Sequence, residues 1–177
     1  MKNRLIITMV RYLLAVAVIL RFFCCQLWGL NPDKRVEQYL VDHWGTSDNI
    51  PSNTILSIAQ TPDGYLWFAT ENGLVRFDGI TFQKKAIHRS KTAMPLKLYV
   101  DREGILWVGS TEGLACYDWK SRQSRTFTTA DGIIEALIRA IKEDVQGNLW
   151  IGIEPDYVSR YSNGIFSLFD GSHGIDG

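Results

Sequence analysis

Three segments of the sequence match in one register: Asp63-Gly-Tyr-Leu-Trp-Phe-Ala-Thr70, Glu103-Gly-Ile-Leu-Trp-Val-Gly-Ser110 and Gln146-Gly-Asn-Leu-Trp-Ile-Gly-Ile153. Their tryptophans, Trp67, Trp107 and Trp150, are 40 and then 43 residues apart. Gly64, Gly104 and Gly147 stand three before them, and Leu66, Leu106 and Leu149 one before. A bulky apolar residue follows each indole (Phe68, Val108, Ile151), then a small one (Ala69, Gly109, Gly152). Nine residues upstream there is always an aliphatic: Ile58, Leu98 or Ile141. A period of this size marks a supersecondary unit that cannot bury its apolar surface alone and must stack on its copies.

Each unit reads as four short strands. In the first they fall near 54–60, 65–70, 73–78 and 80–87; Pro62-Asp63-Gly64, Asn72-Gly73 and Asp78-Gly79 supply the turns, since Gly and Asn tolerate positive φ. The second unit places strands near 95–100, 105–110, 113–118 and 124–128, with Gly113 in the place of Gly73 and a longer last turn around Asp118-Trp119-Lys120-Ser121. The third places them near 136–143, 148–153, 157–161 and 164–169, with Glu154-Pro-Asp156 in its middle turn and Asn163-Gly164 in its last. The tryptophan strand is apolar on both faces, so both faces must be covered. Antiparallel four-stranded units at this period meet that demand as the blades of a β-propeller. The pairing of a large with a small residue two apart further predicts that Trp107 lies against Ala69 or Gly152 or their strand neighbours.

The expected architecture is therefore all-β: about three full blades (54–87, 95–128, 136–169) preceded by a lone strand at 35–44. That strand is proposed because Tyr39 to Ile50 resembles Phe127 to Ile133 and Phe169 to Ile175, where an aromatic leads into a turn ending in Ile. Three blades leave a ring unfinished, since closed propellers have about four to eight. The expectation is an N-terminal piece of a longer protein or a misassembled gene; a small open stack that oligomerises is the alternative. Isolated 31–177 should be poorly soluble or self-associating, because an open stack leaves unpaired edges and a bare apolar face.

Residues 1–30 have a different character. Lys2 and Arg4 open the chain, and Tyr12 to Leu20 is an uninterrupted apolar run bracketed by Arg11 and Arg21. That is the pattern of a secretory signal, with an uncleaved N-terminal anchor as the alternative. Either way the body of the protein is exported, to the periplasm or to the periplasmic side of an inner membrane. Removing the four bases of this segment from a balanced 19 against 19 leaves 15 bases and 19 acids, a net of −4. Such a body has no surplus that draws nucleic acid. With Cys24 and Cys25 in the leader, Cys116 is left alone and no intramolecular disulfide can form.

The block Gly64-Tyr-Leu-Trp-Phe-Ala-Thr-Glu-Asn-Gly-Leu-Val-Arg-Phe-Asp78, with Gly104-Ile-Leu-Trp-Val-Gly-Ser-Thr-Glu-Gly-Leu-Ala-Cys-Tyr-Asp118, resembles the two-component regulator propeller repeat. The third copy departs from it where Gly-Leu becomes Asp156-Tyr157. The resemblance spans about 35–177 and implies paired seven-bladed propellers outside the inner membrane of a bacterial sensor, followed by a β-sandwich, a membrane helix and a histidine kinase or diguanylate cyclase. It implies sensing of a small-molecule or carbohydrate ligand and leaves a homodimer of the full-length protein open. WD-type propellers fit less well, because Asp118-Trp119 is in the wrong order and no Gly-His leads a unit.

Residues that carry chemistry are sparse. His43, His88 and His173 fall in different units without ligand spacing, so no metal and no cofactor are expected. Asp63, Glu103 and Gln146 precede the turn glycines and read as turn residues; Glu71, Glu112 and Asp156 read as hairpin tips. Arg76, Arg160 and Lys84-Lys85 read as solvated charges. No phosphate loop or paired catalytic carboxylate is visible, so no catalytic residue is named. The residues singled out are the structural repeat set: Trp67, Trp107, Trp150, Gly64, Gly104, Gly147, Gly73 and Gly113. Three functions stay open: an extracytoplasmic sensing module, part of a propeller enzyme acting on polysaccharide, and a nonfunctional truncated product.

Overall fold

The computed structural model describes residues 41–174. The expected leader at 1–30 and residues 35–40 of the expected leading strand lie outside the described residues, and residues 41–44 are in no strand. Two compact units divide between Asp42 and His43, and the blades belong to the second.

The described strands form three four-stranded sheets. Blade one comprises β1 (Ile55–Gln60), β2 (Leu66–Thr70), β3 (Gly73–Phe77) and β4 (Phe82–Lys85). Blade two comprises β5 (Pro95–Val100), β6 (Leu106–Ser110), β7 (Gly113–Asp118) and β8 (Gln123–Thr126). Blade three comprises β9 (Ile138–Glu143), β10 (Leu149–Ile153), β11 (Tyr157–Ser162) and β12 (Ile165–Phe169). Each is an antiparallel meander in chain order. The first strands β1, β5 and β9 adjoin one another, and the Leu98 amide donates to Ser57 Oγ across that line at 3.0 Å. First strands inward and last strands outward is the arrangement of a propeller sector.

The turns follow their residues. The β11–β12 loop is Asn163-Gly164 with φ of 50° and 84°, a two-residue hairpin with both central residues left-handed. In the turns between first and second strands, Gly64, Gly104 and Gly147 all have φ of 88° or 89°. Each closes on the carbonyl three residues back, of Thr61, Asp101 and Asp144. Gly73 and Gly113 begin β3 and β7 with φ of 127° and 122°. Their carbonyls accept hydrogen bonds from Thr70 Oγ1 and Ser110 Oγ.

Strand β6 is buried at all five positions, as a strand covered on both faces must be. Leu106 and Val108 pack with Trp67, Ala69 and Leu74 of blade one. Trp107 packs with Ile138, Ile141, Leu149 and Ile151 of blade three. The indoles therefore all look along the same direction of the stack. Trp67 is 1% exposed and Trp107 4%, whereas Trp150, with no described blade on its face, is 36% exposed.

The expected placement of Trp107 is met through the strand neighbours of Gly152, and the rings around it add a detail. Ile151 and Ile153, which flank Gly152, share its core cluster, and the rings that meet it are Phe127 and Tyr161, with centroids 5.5 and 5.2 Å away. Trp67 likewise meets Tyr117 at 5.1 Å. The small residue two positions after the indole makes room for something else. A Cβ on Gly109 would sit 2.5 Å from Ile138 Cγ2, so Gly109 admits the first strand of the next blade. Aromatic rings on facing third strands fill the wider outer part of the interface, and an aliphatic fills the narrow inner part.

Candidate functional site

Antiparallel meandering puts the first and third turns of every blade at one end of the stack. At this end each indole N–H finds an acceptor six residues upstream. Trp67 Nε1 donates to Thr61 Oγ1 at 3.0 Å, Trp107 Nε1 to Asp101 Oδ2 at 2.7 Å and Trp150 Nε1 to Asp144 Oδ2 at 2.8 Å. The other oxygen of Asp101 accepts the amides of Glu103 and Ile105. That of Asp144 accepts those of Gln146 and Asn148. One side chain thus closes the turn and fixes the indole. The Trp150 and Asn148 side chains, with the two amides, hold the Asp144 carboxyl down at about 2. In blade one Thr61 takes this place and also donates to Asp63 Oδ1.

The turns also join the blades. Arg102 Nη2 donates to the Asp144 carbonyl at 2.6 Å, and its Nε pairs with Glu143 at 2.5 Å. Pro62 occupies the equivalent place in blade one and lies against Gly104, where a Cβ would stand 2.7 Å from its Cγ.

Two clefts open between blades at this same end. One, of about 560 Å³, lies between blades two and three and is lined by Asp101, Arg102, Trp107, Arg125, Glu143 and Tyr161 among others. Its cations are spoken for: Arg102 pairs with Glu143 and Arg125 with Asp131. The other, of about 710 Å³, lies between blades one and two against Tyr65, Trp67, Arg76, Lys85, Tyr117 and Trp119. Arg76 stands opposite Trp67 across the β2–β3 pair, and Arg160 opposite Trp150; Cys116 has that position against Trp107. The expectation of solvated arginines is corrected here. The Arg76 guanidinium lies 4.0 Å from the Tyr65 ring centroid, and the Nε atoms of Arg76 and Arg160 are buried. A register that packs the indole inward brings its cross-strand neighbour onto the same face. Burial raises the Cys116 thiol, which keeps it protonated and makes it a packing residue.

The opposite end carries the second turns and the links between blades. His88 lies half-buried there; its Nδ1 accepts the Ser90 amide at 3.3 Å. Burial lowers its pKa, against the raising influence of Glu112 and Glu135. Glu112 accepts Thr92 Oγ1 at 2.6 Å, so this hairpin tip is tied to the preceding link. Glu71 is exposed, and Asp156 lines a shallow hollow with Arg139 and Pro155. His43 and His173 fall in different segments, and no group of metal-binding side chains occurs among the described residues. No helix among them is long and apolar enough to cross a membrane.

The acceptor position was visible in the sequence as Thr61, Asp101 and Asp144, always six before the indole. The arginine position was visible only in part, because one copy has cysteine.

Residues 49–72 match the model of the family "Two component regulator propeller". A solved extracellular domain of a protein assigned as a hybrid two component system from B. thetaiotaomicron is 27% identical over 76% of this chain, with a TM-score of 0.67. A second such domain from that organism is 22% identical over 72% of the chain, with a TM-score of 0.59. The chain spans only 19% and 18% of the lengths of those two domains. Virginiamycin B lyase from Staphylococcus aureus shares the fold, at 13% identity over 66% of this chain and 41% of its own, with a TM-score of 0.55. No curated protein sequence matches the chain. The matched stretch, residues 49–72, holds the first indole, Trp67, and the segments around Trp107 and Trp150 repeat its pattern within this chain.

Proposed function

We propose that this chain is part of the extracytoplasmic ligand-sensing propeller of a bacterial two-component sensor, and that it binds rather than converts its ligand. The observation that carries the reading is the 27% identity, over 76% of this chain, to an extracellular domain of such a system. The basic, then apolar, leader supports export. A small molecule or carbohydrate is the ligand class this reading favours, with the output domain supplied by a longer protein. The homodimer of that longer protein belongs to the same proposal.

The test is a fusion of alkaline phosphatase after Gly177, expressed with and without residues 1–30. Export-dependent phosphatase activity that disappears with the leader supports the reading. Equal activity, or none, from both fusions contradicts it. Sequencing downstream of codon 177 then checks the sensor half: a membrane helix and a phosphoacceptor-histidine or cyclase domain in frame are expected.

A further inference from the structure

The two clefts between blades are built alike and charged oppositely. In the cleft between blades two and three, Arg102 and Arg125 face Asp101, Glu103, Asp118 and Glu143, a local balance of −2. In the cleft between blades one and two, Arg76, Lys85, Lys120 and Arg122 face Asp63 alone, a local balance of +3. Asp63 is already engaged by the Thr61 hydroxyl. None of the four cations takes part in an ion pair among the described residues, although the body around them is acidic overall.

Like charges are expensive to gather without a counter-ion, and most so where water is partly excluded. Arg76 is the clearest case. Its Nε is buried with no hydrogen-bond partner, while its guanidinium covers the Tyr65 ring at 4.0 Å and approaches Trp67 at 5.8 Å. The aromatic contact holds the guanidinium at the cleft wall, where it pairs with no carboxylate among the described residues. Lys85 follows it on the next strand, and burial together with Arg76 lowers its pKa. Lys120 and Arg122 come from the exposed turn between β7 and β8 of blade two. The walls are aromatic: Tyr65, Trp67, Tyr117 and Trp119. At about 710 Å³ the cleft is of the size that encloses a small organic molecule.

We propose that the cleft between blades one and two is an anion site that takes a small molecule bearing two or more carboxylate, sulfate or phosphate groups. The Arg76 fork meets one group edge-on, and Lys85, Lys120 and Arg122 hold another at the mouth. The aromatic walls take the apolar faces of the carrier between them. The site stands at the end of the stack opposite the links between blades, and it does not depend on the sensor reading: failure of the export fusion would leave it untouched.

The test uses the full chain and isothermal titration at low salt, with citrate as the polyvalent probe and inorganic phosphate as the single-group probe. Citrate should bind saturably at one site, at least ten-fold more tightly than phosphate, and weaken as salt rises. The double variant Lys120→Gln/Arg122→Gln lies on an exposed turn and should keep the fold while losing ten-fold or more in citrate affinity. Arg76→Gln should lose at least as much. Arg139→Gln, which removes an exposed charge on blade three, should bind as the parent does. Absence of saturable citrate binding overturns the proposal. So does equal affinity for phosphate, or an equal loss in the Arg139 variant, since either shows attraction to charge in general.

Discussion

Each indole N–H is held by a side chain six residues earlier, and the rings of Trp67 and Trp107 are held besides by the blade that follows. The first contact is tested at Asp144. Its folded pKa is depressed to about 2, below an ordinary value near 3.8, so its stabilisation is complete above the ordinary value and is lost as pH falls towards 2. Carboxyl NMR should place its titration there, and Trp150→Phe should move that midpoint up, because the indole is its largest cause. An unmoved midpoint would remove the indole from the account. His88 has the opposite behaviour. Its folded pKa is lowered by burial, so the fold favours the neutral ring and the unfolded chain takes the proton first. Stability should fall as pH drops below about 6.5, the unperturbed histidine value. His88→Gln should flatten that slope in thermal melts, because burial outweighs the raising influence of Glu112 and Glu135.

At the scale of the strand, packing distinguishes glycines that look alike in the sequence. Gly109 and Gly152 hold the same repeat position. A Cβ at Gly109 would strike Ile138 at 2.5 Å, whereas at Gly152 it would meet Ala140 Cβ at 3.4 Å. Gly109→Ala should therefore cost about 1–3 kcal/mol by overpacking, and Gly152→Ala well under 1 kcal/mol. Denaturant melts decide it, and equal costs would contradict the placement of β9 against β6. This contrast also shows how far the sequence could be read. Strands and turns were legible because Asn163-Gly164 and the Gly64, Gly104 and Gly147 turns state their backbone geometry locally. The two-faced burial of β6 was legible because Leu106 to Ser110 has no polar alternation. What fills the space above a glycine was not, since it depends on how two blades splay. The cleft was not legible either: Arg76, Lys85 and Arg122 are far apart in sequence and meet only when β3, β4 and the blade-two turn are stacked.

At the scale of the whole stack, each end shows an apolar face. Trp150 and Ile165 are exposed on the outer face of blade three at 36% and 68%. On blade one, Trp44 lies over Phe77 and Phe82 at 5.2 and 5.9 Å and borders an apolar hollow of about 260 Å³ with Ile50 and Phe68. Faces of this kind associate. The full chain should sediment as a concentration-dependent mixture, and Trp150→Glu should lower the average mass; a sharp monomer in both would contradict this. The direction of stacking itself is most directly tested by double-mutant cycles on the ring pairs. Trp67–Tyr117 and Trp107–Tyr161, at 5.1 and 5.2 Å, should each show a coupling of about 0.5–1.5 kcal/mol when cut to leucine, and Trp67–Tyr161 none. Coupling in the crossed pair, or none in the two adjacent pairs, would show that the blades do not follow one another in chain order.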